Sequence, residues 1–214
     1  MAGWAERTCV VIMHDSFIAA LSNPNQPVPG GGAAAAYAGS VGLALLEKIV
    51  RLEMRRYPDG SEPWLWGDLL NQVSALSENL HRLRDEDGKS YLFFAETKAS
   101  GKTEEEIAAA LKQAIECPMK ILEQVNKALS CVSVAAEQCK NHLLSDLQVV
   151  CELLGAAGRG AYHISMANLR PMTDPVSKAD YQSRLNKLHA RSCELIKRAE
   201  ASIPGRGRNP IGET

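Results

Sequence analysis

The sequence is short of two features that whole classes of protein require, an excess of one charge and aromatic residues. Its 214 residues include 24 Lys and Arg against 25 Asp and Glu, a formal net charge of -1. Proteins that bind a phosphate backbone usually carry a clear positive excess, so we expect no nucleic-acid partner. Aromatic residues make up only 5% of the chain. Long stretches of Ala and unbranched apolar residues stand where a β-protein would have Val, Ile, Thr and Tyr, and they favour an all-α fold.

Cysteine pairs and targeting segments are also missing. The six cysteines include no CxxC pair and no framework spacing, which favours a reduced, cytoplasmic setting. The apolar run Cys9–Met13 is too short for a signal peptide. The uncharged stretch from Val28 to Leu46 approaches membrane-spanning length, but it is mostly Gly and Ala and precedes Glu47 and Lys48. We interpret it as a buried helix and expect no membrane partner.

Signature motifs of several enzyme classes are absent as well. The chain has no GxSxG, Walker or GxGxxG motif, so hydrolase and nucleotide-binding functions lack their usual signal. Cys and His occur in isolated pairs, and Glu78–His81 is the only ExxH, where a di-iron bundle needs two. We therefore predict no metal site.

Proline and glycine clusters divide the chain into helices and leave no linker between domains. We predict one domain over 1–214, with its core at about 14–203 and a flexible tail at 204–214, folded as an antiparallel up-and-down helical bundle. We expect six helices. The first begins near Asp15 and ends before Asn23, the second covers 32–56, and the third is a long helix that follows Pro63. The fourth starts at the Thr103 and Glu106 capping box and has a kink or interruption at Pro118, the fifth covers 145–169, and the sixth runs from Asp174 to Pro204.

The apolar stripe of the long third helix ends in an acid. Leucines and a valine recur at alternating steps of four and three from Leu69 to Leu83, and the next step of four reaches Asp87. A carboxyl group on a core-facing stripe has a raised pKa when it is desolvated, which suits acid–base catalysis. Asp85 lies about 200° around the helix and cannot face the same point. Two other interpretations stay open: a buried ion pair with Arg or Lys, or a helix that breaks at Gly88 and exposes Asp87.

Three glycines, Gly30, Gly31 and Gly32, precede the Ala-rich second helix. Glycine permits close approach, and a helix N-terminus presents free amides to an anion or a polar ring, so this segment is a candidate ligand cradle. Packing is the alternative, because Gly and Ala at every fourth position let another helix of the same chain or of a partner come near.

Polar residues flank the apolar face of the fifth predicted helix. Asp146 in its first turn and Asn168 near its end could contact a heterocycle, although Asp in a first turn is also favoured by the helix dipole. Arg51, Arg55 and Arg56 form a basic cluster that is either the solvated end of the second helix or an anchor for an acidic substrate tail.

Taken in order along the chain, these elements resemble the formiminotetrahydrofolate cyclodeaminase family, which also includes methenyltetrahydrofolate cyclohydrolases. The similarity extends over about residues 17–203. It lies in the glycine segment before an Ala-rich helix, Asp85-Glu-Asp87-Gly-Lys-Ser-Tyr91 against the family's D-x-D-A-x-A-F, Lys102–Glu106, Pro118 within a helix, Ser145-Asp146, and Asn168-Leu169.

The resemblance implies an all-helical homodimer with a folate cleft and a catalytic aspartate, which is Asp87 or Asp85. It makes Gly30, Gly31, Gly32, Asp146 and Asn168 candidate folate contacts. The implied reaction converts 5-formiminotetrahydrofolate to 5,10-methenyltetrahydrofolate and ammonia, with no metal or redox cofactor and nothing beyond the tetrahydrofolate substrate.

Departures from the family pattern keep two alternatives open, a methenyltetrahydrofolate cyclohydrolase and a catalytically silent folate-binding dimer. Ala33 replaces the usual Ser and is similar to some cyclohydrolases. Arg51-Leu52-Glu53 replaces Asn-Leu-Thr, and Gly88-Lys89-Ser90-Tyr91 replaces Ala-x-Ala-Phe.

Overall fold

The computed structural model describes residues 16–57 and 63–203, and every regular element in these ranges is a helix. The all-α prediction is confirmed. The expected start near Asp15 and the tail at 204–214 lie outside the described residues. The helices are α1 (Ser16–Leu21), α2 (Gly31–Met54), α3 (Trp64–Ala99), α4 (Glu104–Gln138), α5 (Leu144–Leu169) and α6 (Pro175–Ser202), with a 3₁₀ turn at Asn141–Leu143.

Four of these helices form a ring around one core. Helix α2 packs on α3 and α5, α4 packs on the same two helices from the opposite side, and α6 covers α4 and α5. Successive helices run antiparallel, because their contacts follow opposite chain order. Gly32 and Gly39 of α2 meet Asp87 and Leu80 of α3, and Gln72 and Leu83 of α3 bond to Cys131 and Cys117 of α4. The up-and-down bundle is therefore confirmed.

Helices α2 and α5 approach closely through small residues. A Cβ on Gly160 would lie 3.2 Å from the Cβ of Ala35, and one on Gly42 would lie 3.3 Å from Leu154 Cγ. Part of the small-residue pattern thus serves packing within the chain. By length and composition alone α2 could cross a membrane, and 56% of its most apolar 18 residues is buried in the bundle. Core helices of water-soluble bundles meet the same criterion.

Helix α4 begins at the predicted capping box and contains Pro118, as predicted. Thr103 and Glu106 form the reciprocal capping box, and Asp174 caps α6 through the Ser177 N–H. Pro118 does not interrupt α4, which runs unbroken to Gln138, so an interruption was the wrong expectation. Because Pro118 has no N–H, the Ala114 carbonyl one turn earlier accepts a hydrogen bond from another helix instead.

Candidate active site

The stripe of α3 is buried as its spacing predicts, and it ends in a buried acid. Leu69, Val73, Leu80 and Leu83 are part of the core. Asp87 continues the same face and is only 7% exposed. Helix α3 extends through Gly88 to Ala99, so the alternative in which the helix breaks at Gly88 does not occur.

The first turn of α2 receives the Asp87 carboxylate. The Ala33 N–H donates to Asp87 Oδ2 at 3.0 Å, using one of the amides that a helix N-terminus leaves without an intrahelical acceptor. A Cβ on Gly32 would lie 2.6 Å from Oδ2 and closer still to Oδ1. Glycine is therefore required at position 32, because any side chain there would displace the carboxylate.

The surroundings of Asp87 favour its protonated form. Burial raises the pKa of the carboxyl above its usual range, and the Ala33 hydrogen bond offsets part of that rise. Among the described residues no Lys or Arg forms an ion pair with Asp87, so the ion-pair alternative does not occur either. A buried acid without a counter-charge, beside an open cavity, is suited to exchanging a proton with a bound group.

A cavity of about 210 Å³ opens beside this acid. Asp87, the three glycines and Asn168 line it, so the structure brings together five of the predicted site residues. Sequence reasoning missed the other four lining residues, which are Pro27, Val28, Tyr91 and Ile164. Helical spacing does place Tyr91 on the face of Asp87, one turn further on, but no site role was predicted for it.

Asn168 is held in place by the proline of α4. Pro118 has no N–H, so the carbonyl four residues earlier, that of Ala114, lacks its helical donor. Asn168 Nδ2 donates to this carbonyl at 2.8 Å. This bond uses one of the two Nδ2 hydrogens and fixes the plane of the amide, which leaves Oδ1 and the second N–H of Asn168 for a ligand. Pro118 of α4 thus orients the Asn168 side chain of α5, because it frees the carbonyl to which Asn168 donates.

Asp85 and Asp146 lie apart from this cavity. Asp85 is exposed and pairs with Arg84, the Arg84 Nε to Asp85 Oδ1 distance being 2.9 Å. Asp146 is in the first turn of α5, about 33 Å along the helix from Asn168. Within one chain these two residues do not belong to the Asp87 cavity, and their roles stay predictions.

The basic cluster lies at the far end of α2. Arg51 pairs with Glu47 at 2.7 Å and Arg56 pairs with the buried Glu53. Arg55 forms no ion pair within the described ranges. No group of three or more His, Cys, Asp or Glu able to hold a metal ion occurs among residues 16–57 and 63–203.

Fold and site together define a helical bundle with a buried acid beside a cavity at the N-terminal end of α2. Comparison with known proteins gives the particular family. Residues 13–187 match the family model described as formiminotransferase-cyclodeaminase, and the chain belongs to that family. The resemblance inferred from the sequence is confirmed.

Individual relatives agree with this assignment. The chain is 30% identical to rat formimidoyltransferase-cyclodeaminase over 169 residues and 26% identical to the chicken protein over 195 residues. It spans about a third of the length of these relatives, since the matches cover 31% and 36% of them. A solved structure of formiminotetrahydrofolate cyclodeaminase from Thermotoga maritima has the same fold, with a TM-score of 0.73, 20% identity, and coverage of 84% of this chain and 89% of that one.

Proposed function

We propose that this chain is a cytoplasmic, homodimeric folate enzyme of one-carbon metabolism, and that it converts 5-formiminotetrahydrofolate to 5,10-methenyltetrahydrofolate and ammonia. One observation carries the proposal: Asp87 is a buried acid with no ion-pair partner in the described chain, and it borders a cavity at the amide end of α2. The names of the relatives, cyclodeaminases of formimino- or formimidoyl-folate chemistry, supply the substrate class.

The proposed chemistry needs one group that can hold and release a proton. N10 of the substrate attacks the formimino carbon on N5 and forms a tetrahedral adduct, in which a proton moves from N10 to the departing nitrogen. Protonated Asp87 gives that nitrogen a further proton, the carbon–nitrogen bond breaks, and ammonia leaves. The resulting carboxylate lies beside the cationic methenyl bridge and stabilises it. The raised pKa makes the acid form more accessible than it would be for a solvent-exposed aspartate.

The departures after Asp87 do not fill the cavity, so they are compatible with folate binding by this chain. Gly88 packs against Val28, with 3.3 Å between its would-be Cβ and that of Val28. Lys89 lies instead along the groove between α3 and α4. Tyr91, where the family motif has Phe, keeps an aromatic ring at the cavity.

A methenyltetrahydrofolate cyclohydrolase is the second candidate, and Ala33 favours it. The residue that donates its N–H to Asp87 has a fully buried methyl side chain, so position 33 provides no hydroxyl beside the acid. In this reaction the Asp87 carboxylate would accept a proton from the water that attacks the methenyl carbon.

Two spectroscopic assays distinguish these candidates. With 5-formiminotetrahydrofolate, growth of the methenyl absorbance together with ammonia release identifies the cyclodeaminase. With methenyltetrahydrofolate, enzyme-dependent loss of the same absorbance identifies the cyclohydrolase, and neither change would leave a folate binder. Asp87→Asn should abolish the activity and Asp85→Asn should retain it, because Asp85 is exposed and paired with Arg84. The opposite result would assign catalysis to Asp85.

A further inference from the structure

Three of the nine described residues that line the Asp87 cavity have a polar side chain. They are Asp87 and Tyr91 of α3 and Asn168 of α5. The other six are glycine, proline or aliphatic residues. The proposed chemistry uses Asp87, and Asn168 is held by the Ala114 carbonyl. Tyr91 is therefore the polar side chain of the cavity whose hydroxyl has no role so far.

The Tyr91 side chain leans toward Asp87 because of its position in α3. Side chains of an α-helix point back toward its N-terminus, and residues four apart are neighbours with about 5–6 Å between their Cβ atoms. Tyr91 follows Asp87 by four positions, and both line the same cavity. Tyr91 is 46% exposed, whereas Asp87 is 7% exposed. The phenol thus belongs to the outer part of the cavity wall and the carboxyl group to the inner part.

The Tyr91 hydroxyl has no hydrogen-bond partner in the described chain, unlike the hydroxyls of two other tyrosines. Tyr181 Oη donates to Glu116 Oε1 at 2.9 Å, and Tyr162 Oη donates to Asn186 Oδ1 at 3.4 Å. Each of these bonds joins α6 to a neighbouring helix. No such bond joins Tyr91 to another helix within the described ranges. Its hydroxyl is therefore available to a ligand.

A ligand that reaches Asp87 passes this hydroxyl. The cavity has a volume of about 210 Å³, below the roughly 300–1,000 Å³ of sites that enclose a whole drug-sized ligand. It can enclose one end of such a ligand, and Tyr91 is the most exposed of the three polar side chains around that end. A tyrosine hydroxyl supplies a hydrogen bond without a charge, so it adds polar recognition without neutralising the acid.

We infer that the Tyr91 hydroxyl is a specificity-determining group that forms a hydrogen bond to the polar ring of the ligand held at Asp87. The identity of that ring, the pterin of a folate, rests on the proposed function. The family motif has Phe at this position, and a Phe ring cannot form this bond. Tyr91 binds and positions the ring, while proton transfer belongs to Asp87. The bond therefore contributes to affinity and KM rather than to kcat.

Removal of the hydroxyl alone tests this role. Tyr91→Phe keeps the ring, and its affinity for 5-formyltetrahydrofolate in isothermal titration calorimetry should fall about threefold to tenfold, the loss of one neutral hydrogen bond. In the folate assay kcat/KM should fall by a similar factor, mainly through a higher KM. An affinity equal to that of the wild type would overturn the role of Tyr91. A lower kcat with an unchanged KM would overturn it as well, because it would assign Tyr91 to the chemical step.

Tyr181→Phe is the matched control, since it also removes one tyrosine hydroxyl. Tyr181 is buried and bonded to Glu116, so this variant should unfold at a lower urea concentration and bind 5-formyltetrahydrofolate as the wild type does. Tyr91→Phe should show the reverse, weaker binding with an unchanged urea midpoint, because its hydroxyl has no partner in the described chain. Equal losses of stability in the two variants would give the Tyr91 hydroxyl a structural role instead.

A ligand without the folate tail shows which part of the ligand the hydroxyl contacts. 5-Formyl-6-methyltetrahydropterin has the ring system and lacks the p-aminobenzoylglutamate tail. Tyr91→Phe should lose the same factor of affinity for it as for 5-formyltetrahydrofolate. A loss confined to the complete folate would place the hydroxyl on the tail and overturn the assignment to the ring.

The wild type separates failure of this role from failure of the proposed function. If the wild type binds neither compound, the proposed function fails, and the assignment of the ring fails with it. If the wild type and Tyr91→Phe bind both compounds equally well, the proposed function stands and the role of Tyr91 alone is overturned.

Discussion

Helix α2 meets a buried carboxylate at each end, and the two differ in what surrounds them. Asp87 at the N-terminal end accepts the Ala33 N–H, has no cation partner in the described chain and borders a cavity. Glu53 at the C-terminal end is completely buried, accepts the Lys140 N–H at 2.9 Å and pairs with Arg56. Burial alone therefore does not distinguish the two acids, whereas their hydrogen-bond and ion-pair partners do. A counter-charge and two hydrogen-bonded oxygens make Glu53 a structural link, whereas an uncompensated acid beside a cavity is suited to chemistry.

The largest expected effect separates the two acids by activity. Asp87→Asn should lower the turnover rate by about 10²- to 10⁴-fold, because it removes the exchangeable proton. Glu53→Gln keeps a carbonyl oxygen for the Lys140 N–H and should leave turnover per folded molecule unchanged. Both variants are measured in the folate assays against the wild type. Equal losses in the two would contradict the distinction.

Loss of Glu53 should lower the free energy of unfolding more than loss of Asp87, the reverse of the order expected for activity. Glu53→Ala leaves the Lys140 N–H without its acceptor and creates a cavity, so we expect the free energy of unfolding to fall by about 2–3 kcal/mol. Asp87→Ala should cost less, because water in the adjacent cavity can bind the Ala33 N–H. Urea titrations followed by circular dichroism measure both. A larger loss for Asp87→Ala would reverse the assigned roles.

The glycine segment allows a matched test of how closely Asp87 approaches α2. Gly32→Ala places a methyl group against the carboxylate and should reduce stability by about 1–3 kcal/mol, with a loss of activity as Asp87 is displaced. Gly30→Ala meets no atom within 4 Å, so its cost should stay below about 1 kcal/mol. If the two variants were equally stable, close approach at position 32 would not be the reason for its glycine.

Substitution of Pro118 should have a smaller effect, a loss of folate affinity that depends on Asn168. Pro118→Ala restores an N–H for the Ala114 carbonyl, which then competes with Asn168 Nδ2. We expect folate affinity to fall about threefold to tenfold while stability is maintained or improved. In an Asn168→Leu background the proline substitution should change affinity no further, so the double-mutant cycle isolates the coupling. Additive effects would show that Pro118 acts on the site by another route.

The smallest expected effect is the pH dependence of stability. Because burial raises the pKa of Asp87 in the folded protein from 3.8, the folded state binds that proton more tightly than the unfolded chain. The stability of the wild type should therefore fall, relative to Asp87→Asn, as pH rises from 3.8 through the folded-state pKa. Urea unfolding of both proteins across this range measures the difference. A difference of the opposite sign would mean that the folded protein favours the ionised form.

Periodicity and capping predicted most of the architecture because they depend on local geometry. The step of 3.6 residues per turn placed Asp87 on the buried face of α3, and the Thr103 and Glu106 pair located the start of α4. The same local rule misjudged Pro118. It predicts the loss of a hydrogen bond but cannot show that Asn168, 50 positions along the chain, binds the freed carbonyl.

Site residues that have a polar group or a special backbone requirement were predicted from the sequence. Residues that line the cavity only because the fold brings them there were missed. Asp87, Asn168 and the glycines were identified, and they meet at one cavity. Ile164 and Val28 have no polar or conformational signal, and only the packing of α2 against α3 and α5 brings them there. Asp146 shows the converse, since its place in the first turn of α5 puts it at the other end of the bundle.

The amino-acid sequence by itself determined an all-helical chain with an acid on its core-facing stripe, because helical spacing and turn chemistry act between residues that are near in sequence. Only the tertiary structure decided what surrounds that acid. Its lack of a cation, the Ala33 amide that receives it and the cavity beside it all depend on which helices meet. The balance between desolvation and hydrogen bonding that raises its pKa is a property of the packed bundle.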